Sequence, residues 1–296
     1  MRIFILMALC CAAMTVGLRA QDLRGVVDIH AHTGPDSLPR SIDSLSLARL
    51  ARDKGYRGLV LKNHYEPTAA LAGLARQEAP GLAVFGGIAL NLTVGGVNPV
   101  AVERMTRVEG GFGKVVWMPT FDSENQVKFS KENRPFVSVS RGGKLLPEVL
   151  LVLDLISKHD LVLATGHSTA TEDLMLVEEA RKRKVGRIVI THAMLDPVHM
   201  SIEQARKAAQ LGAYVEFVGN AMVGATKTVT FKDYAALMRQ IGLDHVILSS
   251  DLGQKGNPLH PDGLEQIFAG LRGAGFTVAE VEQIAKHNPA RLLGLE

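Results

Sequence analysis

The chain has 296 residues, of which 47% are hydrophobic and 21% charged. That is enough apolar side chain to bury a sizeable core, which excludes a disordered chain. Lys plus Arg number 33 against 30 for Asp plus Glu, a formal charge of +3, and no basic run is longer than residues 181–184. Nucleic acid is therefore not expected as a partner.

Residues 1–20 read as a secretory signal peptide: Arg2, an uncharged apolar run over 3–18, then Arg19 and Ala20. The run is shorter than the roughly 20 residues a membrane span needs. The expectation is an exported protein, periplasmic or secreted, with no stable membrane insertion after cleavage behind Ala20. Leu18, only a fair residue three positions before the cut, keeps an uncleaved anchor as the alternative. Both cysteines, Cys10 and Cys11, fall in this segment. The mature chain, 21–296, thus has no disulfide, thiolate metal site or thiol redox chemistry. Any metal must be held by His, Asp, Glu or a modified Lys.

Eight runs rich in Val, Ile and Leu follow, at 25–32, 58–64, 82–90, 114–120, 161–167, 187–192, 213–218 and 245–251. Most look like strands buried on both faces. Amphipathic helical patterns separate most of them, among others at 44–53, 146–157, 171–183, 201–211 and 231–241, and a last one covers 277–286. Eight β–α alternations in this length fit an α/β fold of the (β/α)8 TIM barrel type, a single domain over 21–296. A doubly wound sheet is disfavoured, because His30-Ala31-His32-Thr33-Gly34 stands where a glycine-rich phosphate turn would be. The connection from Phe121 to the helix near Leu146 is too long for a simple link. It reads as a long loop or hairpin insertion after strand 4, with 136–140 and Arg141-Gly142-Gly143 as the hairpin, and as a lid or pocket wall.

Five of the ten histidines, His30, His32, His64, His167 and His192, end predicted strands, and Asp251 ends the eighth. In a parallel barrel these ends converge on one face. His30 and His32 are two apart, so both point inward. A divalent transition metal wants neutral imidazoles plus a carboxylate, with a position left for water. His30, His32, His167 and Asp251 supply that set, with His192 as a further ligand or as a donor to the bound water. One strand-end histidine alone is more often an ordinary core or surface residue. Several at matching strand ends, buried without a metal, would leave costly unpaired groups.

With these pieces the sequence resembles the amidohydrolase superfamily of metal-dependent hydrolases. The matching segments are Val27-Asp28-Ile29-His30-Ala31-His32, Thr165-Gly166-His167, Ile190-Thr191-His192 and Ser250-Asp251. The ending His287-Asn288-Pro289-Ala290-Arg291-Leu292-Leu293-Gly294 is similar to that of many members. The resemblance implies a (β/α)8 barrel with one or two metals at its C-terminal mouth, and hydrolysis as the commonest activity. Two-metal members usually end strand four with a bridging Lys or Glu; here that strand ends Trp117-Met118-Pro119-Thr120. The departure favours one divalent ion, zinc first, with manganese, iron or nickel as alternatives, over two. Lys62 and His64 are read as substrate-binding or supporting groups, with a ligand role as the rival. Glu216 is read as an interior salt-bridge or supporting partner, with a ligand role as the rival. Asn91, Asn98, Trp117 and Asn220 lie on the same face as weaker candidates.

The resulting expectation is metal-assisted hydrolysis of a small-molecule carbonyl (amide, ester or lactone) or phosphoester. Asp251 shuttles the proton, His192 steadies water or oxyanion, and Lys62, His64 and Arg141 hold a substrate carboxylate or phosphate. A decarboxylase or isomerase on the same scaffold is the runner-up, and an exported binding protein without turnover the third reading. A homo-oligomer is compatible with the sequence, which does not name the substrate.

Overall fold

A strand sandwiched between a barrel interior and a helical shell must be apolar at nearly every position, and that requirement sets the architecture. The computed structural model describes residues 22–296, so the expected signal peptide at 1–20 lies outside the described residues. In chain order the strands are β1 (Val27–His32), β2 (Gly58–Lys62), β3 (Ala83–Ala89), β4 (Gly113–Trp117), β5 (Ser140–Arg141), β6 (Lys144–Leu145), β7 (Val162–Ala164), β8 (Arg187–Ile190), β9 (Tyr214–Val218) and β10 (Val246–Ser249). The helices are α1 (Ser44–Asp53), α2 (Ala69–Glu78), α3 (Pro99–Thr106), α4 (Glu124–Phe129), α5 (Pro147–Lys158), α6 (Ala170–Lys182), α7 (Ile202–Gln210), α8 (Phe231–Ile241), α9 (His260–Gly273), α10 (Val278–Glu282) and α11 (Asn288–Leu293).

Eight strands form one parallel sheet in the order β1-β2-β3-β4-β7-β8-β9-β10. Its ends meet where Asp251 N donates to His30 O at 2.8 Å and His32 N to Leu252 O at 2.9 Å. The protein is a (β/α)8 barrel. One apolar cluster lies between strands and helices, with Leu59, Leu61, Val116, Leu163 and Ile188 among its members. A second fills the barrel with Val27, Ile29, Val60, Val115, Trp117, Val162, Val189 and Ile247, joined by Ala290, Leu292 and Leu293 of α11. Alternation follows: Leu59 and Leu61 face the helices, while Val60 and Lys62 face the interior. No described helix is long and apolar enough to cross a membrane.

The connection after β4 is more ordered than its sequence suggests. It begins with α4, a helix absent from the sequence-based expectation, capped where Ser123 accepts from Gln126 N. The hairpin is present but shorter than 136–140 implies: β5 and β6 are two residues each, turned by Gly142 (φ 56°) and Gly143 (φ 73°). The last helix also extends past 286. A π-turn over Gln283–His287 joins α10 to α11, whose Pro289 stands in its first turn, where a missing N–H costs nothing.

Candidate metal centre

The register of β1 shifts between Asp28 and Ala31. Beyond it Ala31 packs toward the helices, while His30 and His32 project to the barrel mouth at 1% and 2% exposure. The chain leaves β8 and β10 through residues in left-handed backbone, His192 (φ 26°) and Asp251 (φ 48°). A non-glycine residue in this region is uncommon and concentrates at functional sites.

His30, His32 and Asp251 form one group whose ligand atoms all lie within 4.8 Å of one another. Asp251 Oδ1 is 3.1 Å from both His30 Nε2 and His32 Nε2. In a tetrahedral shell with bonds of about 2.0–2.1 Å, neighbouring donors sit roughly 3.3 Å apart, so this spacing suits a small divalent ion. The protonation states suit it too. Burial drives the His32 imidazole down to about 3, leaving it neutral, and its Nδ1 is buried without a partner. Burial alone would raise the Asp251 carboxyl, but His30 and His32 overcome it and hold the group well below the usual carboxylate range.

Behind His30 stands Glu216 of β9. Its Oε1 is 3.1 Å from His30 Nδ1 and accepts from Ser249 Oγ at 2.7 Å, while Oε2 accepts from His192 N at 3.0 Å. Burial opposes its ionisation, yet the charges and hydrogen bonds of His30 and His192 bring it down to about 2. An ionised Glu216 fixes the His30 proton on Nδ1 and aims Nε2 at the site, as carboxylates do behind metal-binding imidazoles. Lys62 Nζ lies 2.9 Å from that Nε2 and 5.4 Å from the Trp117 ring centroid. Burial lowers Lys62 to about 8, whereas His30, despite burial, is raised to about 9 by Asp251 and Glu216. Two cations cannot aim protons at each other across 2.9 Å, so with the His30 proton on Nδ1 it is Lys62 that donates to the bare Nε2, whose lone pair a bound ion would take instead.

The two other expected ligands form a neighbouring pair and do not join the triad. His167 Nδ1 donates to Gln126 Oε1 at 2.8 Å, so its Nε2 carries a lone pair toward His192 Nε2 at 3.1 Å. Burial pushes His167 well down and His192 to about 4, so both are neutral. His192 stacks 6.2 Å from His30, ring to ring, which sets the pair beside the triad.

His64 takes a different part. Asn91 Nδ2 donates to Thr120 Oγ1 at 2.7 Å, and the same hydroxyl is hydrogen-bonded to His64 Nδ1 at 2.9 Å. The ring is neutral, held down first by burial. It is stacked between His32 and Phe121 at ring distances of 4.8 and 3.8 Å. Asn220 Nδ2 donates to Asp251 Oδ2 at 3.0 Å. Asn98 caps α3. Arg141 is exposed on β5, in a groove with Glu124, Ser140 and Glu172, and has no contact with the histidines. Gln126, Thr120 and Phe121 escaped the sequence reading. Each is one ordinary residue in the connection after β4, and Ser123 as a helix cap was the only available hint of their order.

An eight-stranded parallel barrel with imidazoles and a carboxylate at its C-terminal strand ends defines the class by fold: this is a (β/α)8 barrel with a candidate metal site at its mouth. Several solved structures match nearly the whole chain. An amidohydrolase from Pseudomonas aeruginosa is 13% identical with a TM-score of 0.62, over 90% of this chain and 95% of that one. The organophosphorus hydrolase from Deinococcus radiodurans is 17% identical with a TM-score of 0.60, over 93% of each. The 2,6-dihydroxybenzoate decarboxylase from Rhizobium is 14% identical with a TM-score of 0.56, over 92% and 99%. By sequence the chain belongs to the family of unknown function DUF6282, whose model matches residues 25–216. That span runs from β1 into β9 and stops short of Asp251. No curated protein matches the sequence.

Proposed function

We propose that this protein is a metal-dependent hydrolase acting on a small-molecule amide, ester, lactone or phosphoester. The observation that carries the reading is the His30–His32–Asp251 group, two imidazoles sharing one carboxylate oxygen at 3.1 Å. A divalent ion held there, zinc first and manganese, iron or nickel as alternatives, supplies Lewis acidity and draws the pKa of a water toward about 7. Asp251 is kept ionised, with Oδ2 accepting from Asn220, and would take the proton of a water activated there. It passes that proton to the leaving group. His192 donates from Nε2 to steady the developing oxyanion, turning from His167 as it does. His64 orients the substrate, and Lys62 offers it a buried cation.

The same β4 end that lacks a Lys or Glu bridge supports one ion over two, and it favours a decarboxylase as the second reading. Carbon dioxide release without incorporation of labelled water would select it. The hydrolase reading is tested by assaying the purified protein on an ester, lactone, amide and phosphoester panel, then comparing His30→Ala and Asp251→Ala. Loss of turnover by at least about 100-fold in both is expected, the scale on which removing a general acid–base group acts. Full activity in both variants contradicts it. We also propose export of the chain; amino-terminal sequencing of the mature protein should begin at Gln21.

A further inference from the structure

One cation at the barrel mouth has no part in the account above. Arg40 lies in the loop between β1 and α1, and its side chain is 5% exposed. The loop is pinned over the Asp251 turn. Arg40 bridges to Gln254 as an antiparallel pair, Ser41 N donates to Gly253 O at 2.9 Å, and Gln254 Nε2 donates to Asp251 O at 2.8 Å.

Asp36 is its one partner, and it grips a single edge. Arg40 Nε donates to Asp36 Oδ2 at 2.6 Å, and Nη2 lies 2.6 Å from the same oxygen. The other carboxylate oxygen accepts from Leu38 N. Nη2, for all that proximity, makes no hydrogen bond among the described residues and is buried without a partner. A buried ion pair that only stapled a loop would engage both carboxylate oxygens, because an unmet buried donor is costly. Asp36 instead sets the plane of the guanidinium and leaves its outer edge open.

The other arginines on this loop face differ. Arg134 is matched by two carboxylates, Asp122 at 2.5 Å and Glu132, and its Nη2 donates to Phe121 O. That cluster carries a net negative charge. Arg141 is exposed on the hairpin.

We propose that Arg40, together with Lys62, is the anion-recognising element of the site and binds an oxyanion of the substrate, a carboxylate or a phosphate group. The planar guanidinium edge suits such a group, and Lys62 adds a point charge from the neighbouring strand β2. The inference deepens the hydrolase reading and rests on it in taking the barrel mouth as the place where substrate binds.

The test is calorimetric titration of the full chain with inorganic phosphate and, separately, acetate. Wild type is compared with Arg40→Met, Arg40→Lys and Arg107→Ala, the last a surface arginine paired with Glu103. Both Arg40 variants should bind the preferred anion at least tenfold more weakly, with Arg107→Ala unchanged, and the preferred anion names the group. Arg40→Lys keeps the buried charge beside Asp36, so it answers the question even where Arg40→Met does not fold. Binding by the folded Arg40 variants within twofold of wild type, or no binding of either anion by wild type, overturns the proposal. Metal content is measured on every sample. A metal-free wild type speaks against the hydrolase reading, whereas equal anion binding with metal present removes Arg40 alone.

Discussion

An imidazole is useful to a cation only when the correct nitrogen is bare, and here single partners decide which one that is. Glu216 settles it for His30 and Gln126 for His167. Replacing Glu216 by Gln keeps the size and removes the charge. Metal affinity, read by competitive titration with a chelating dye, should fall about 10–100-fold, the usual effect of losing such a support. Unchanged affinity would mean that Glu216 only fills space. His30, His32 and Asp251 were legible in the sequence because strand-end position alone aims them at one mouth. Their supports were not, since a lone glutamine or threonine acquires its partner only through tertiary packing. The five-ligand expectation also merged what the structure separates, the triad and the His167–His192 pair.

Between the strands and the site lie short turns whose backbone has no room for side chains. Gly253 has φ +119°, and a Cβ there would come 1.9 Å from His32 O. Gly166, at φ +69°, would meet Met118 O at 2.3 Å. These contacts press the β10 and β7 turns against their neighbours, so each histidine is positioned by the turn beside it. Gly253→Ala should destabilise the fold by at least about 1 kcal/mol, because the conformation and the space are both wrong for alanine, and it should weaken metal binding as well. The matched control is Thr277→Ala. It breaks the box in which Thr277 and Glu280 cap α10, costing about 1 kcal/mol with metal affinity unchanged. Equal effects of the two variants on metal would show that the Gly253 turn has no special bearing on the site. At this scale the sequence was a good guide to α1 and α8, whose expected bounds, 44–53 and 231–241, are the ones observed. It missed α4, a helix of six residues, too short to display a period.

The whole barrel carries a buried acid unrelated to the proposed chemistry. Asp173 in the first turns of α6 is fully buried, and burial raises its carboxyl well above the ordinary value. In the unfolded chain it titrates near 3.8. The native state therefore holds a proton that the unfolded state has lost, and stability declines as pH rises from about 4 through the native pKa. Asp173→Asn removes that slope. Its urea midpoint should exceed that of wild type at pH 7, and the gap should close below pH 4. A gap independent of pH would contradict the assignment. Nothing in the sequence singled out this residue, since an aspartate early in a helix reads as a favourable dipole partner. The eight-stranded plan, by contrast, was legible from spacing alone, because continuous apolar runs separated by helices leave few other topologies.

The central claim is that His30, His32 and Asp251 hold one divalent ion, and elemental analysis of freshly purified protein tests it most directly. The account predicts a metal-to-chain ratio near one for wild type, and loss of the metal in both His32→Ala and Asp251→Ala while the barrel stays folded by circular dichroism. A wild-type protein that neither carries nor takes up a divalent ion, or folded variants that keep it, would contradict the claim.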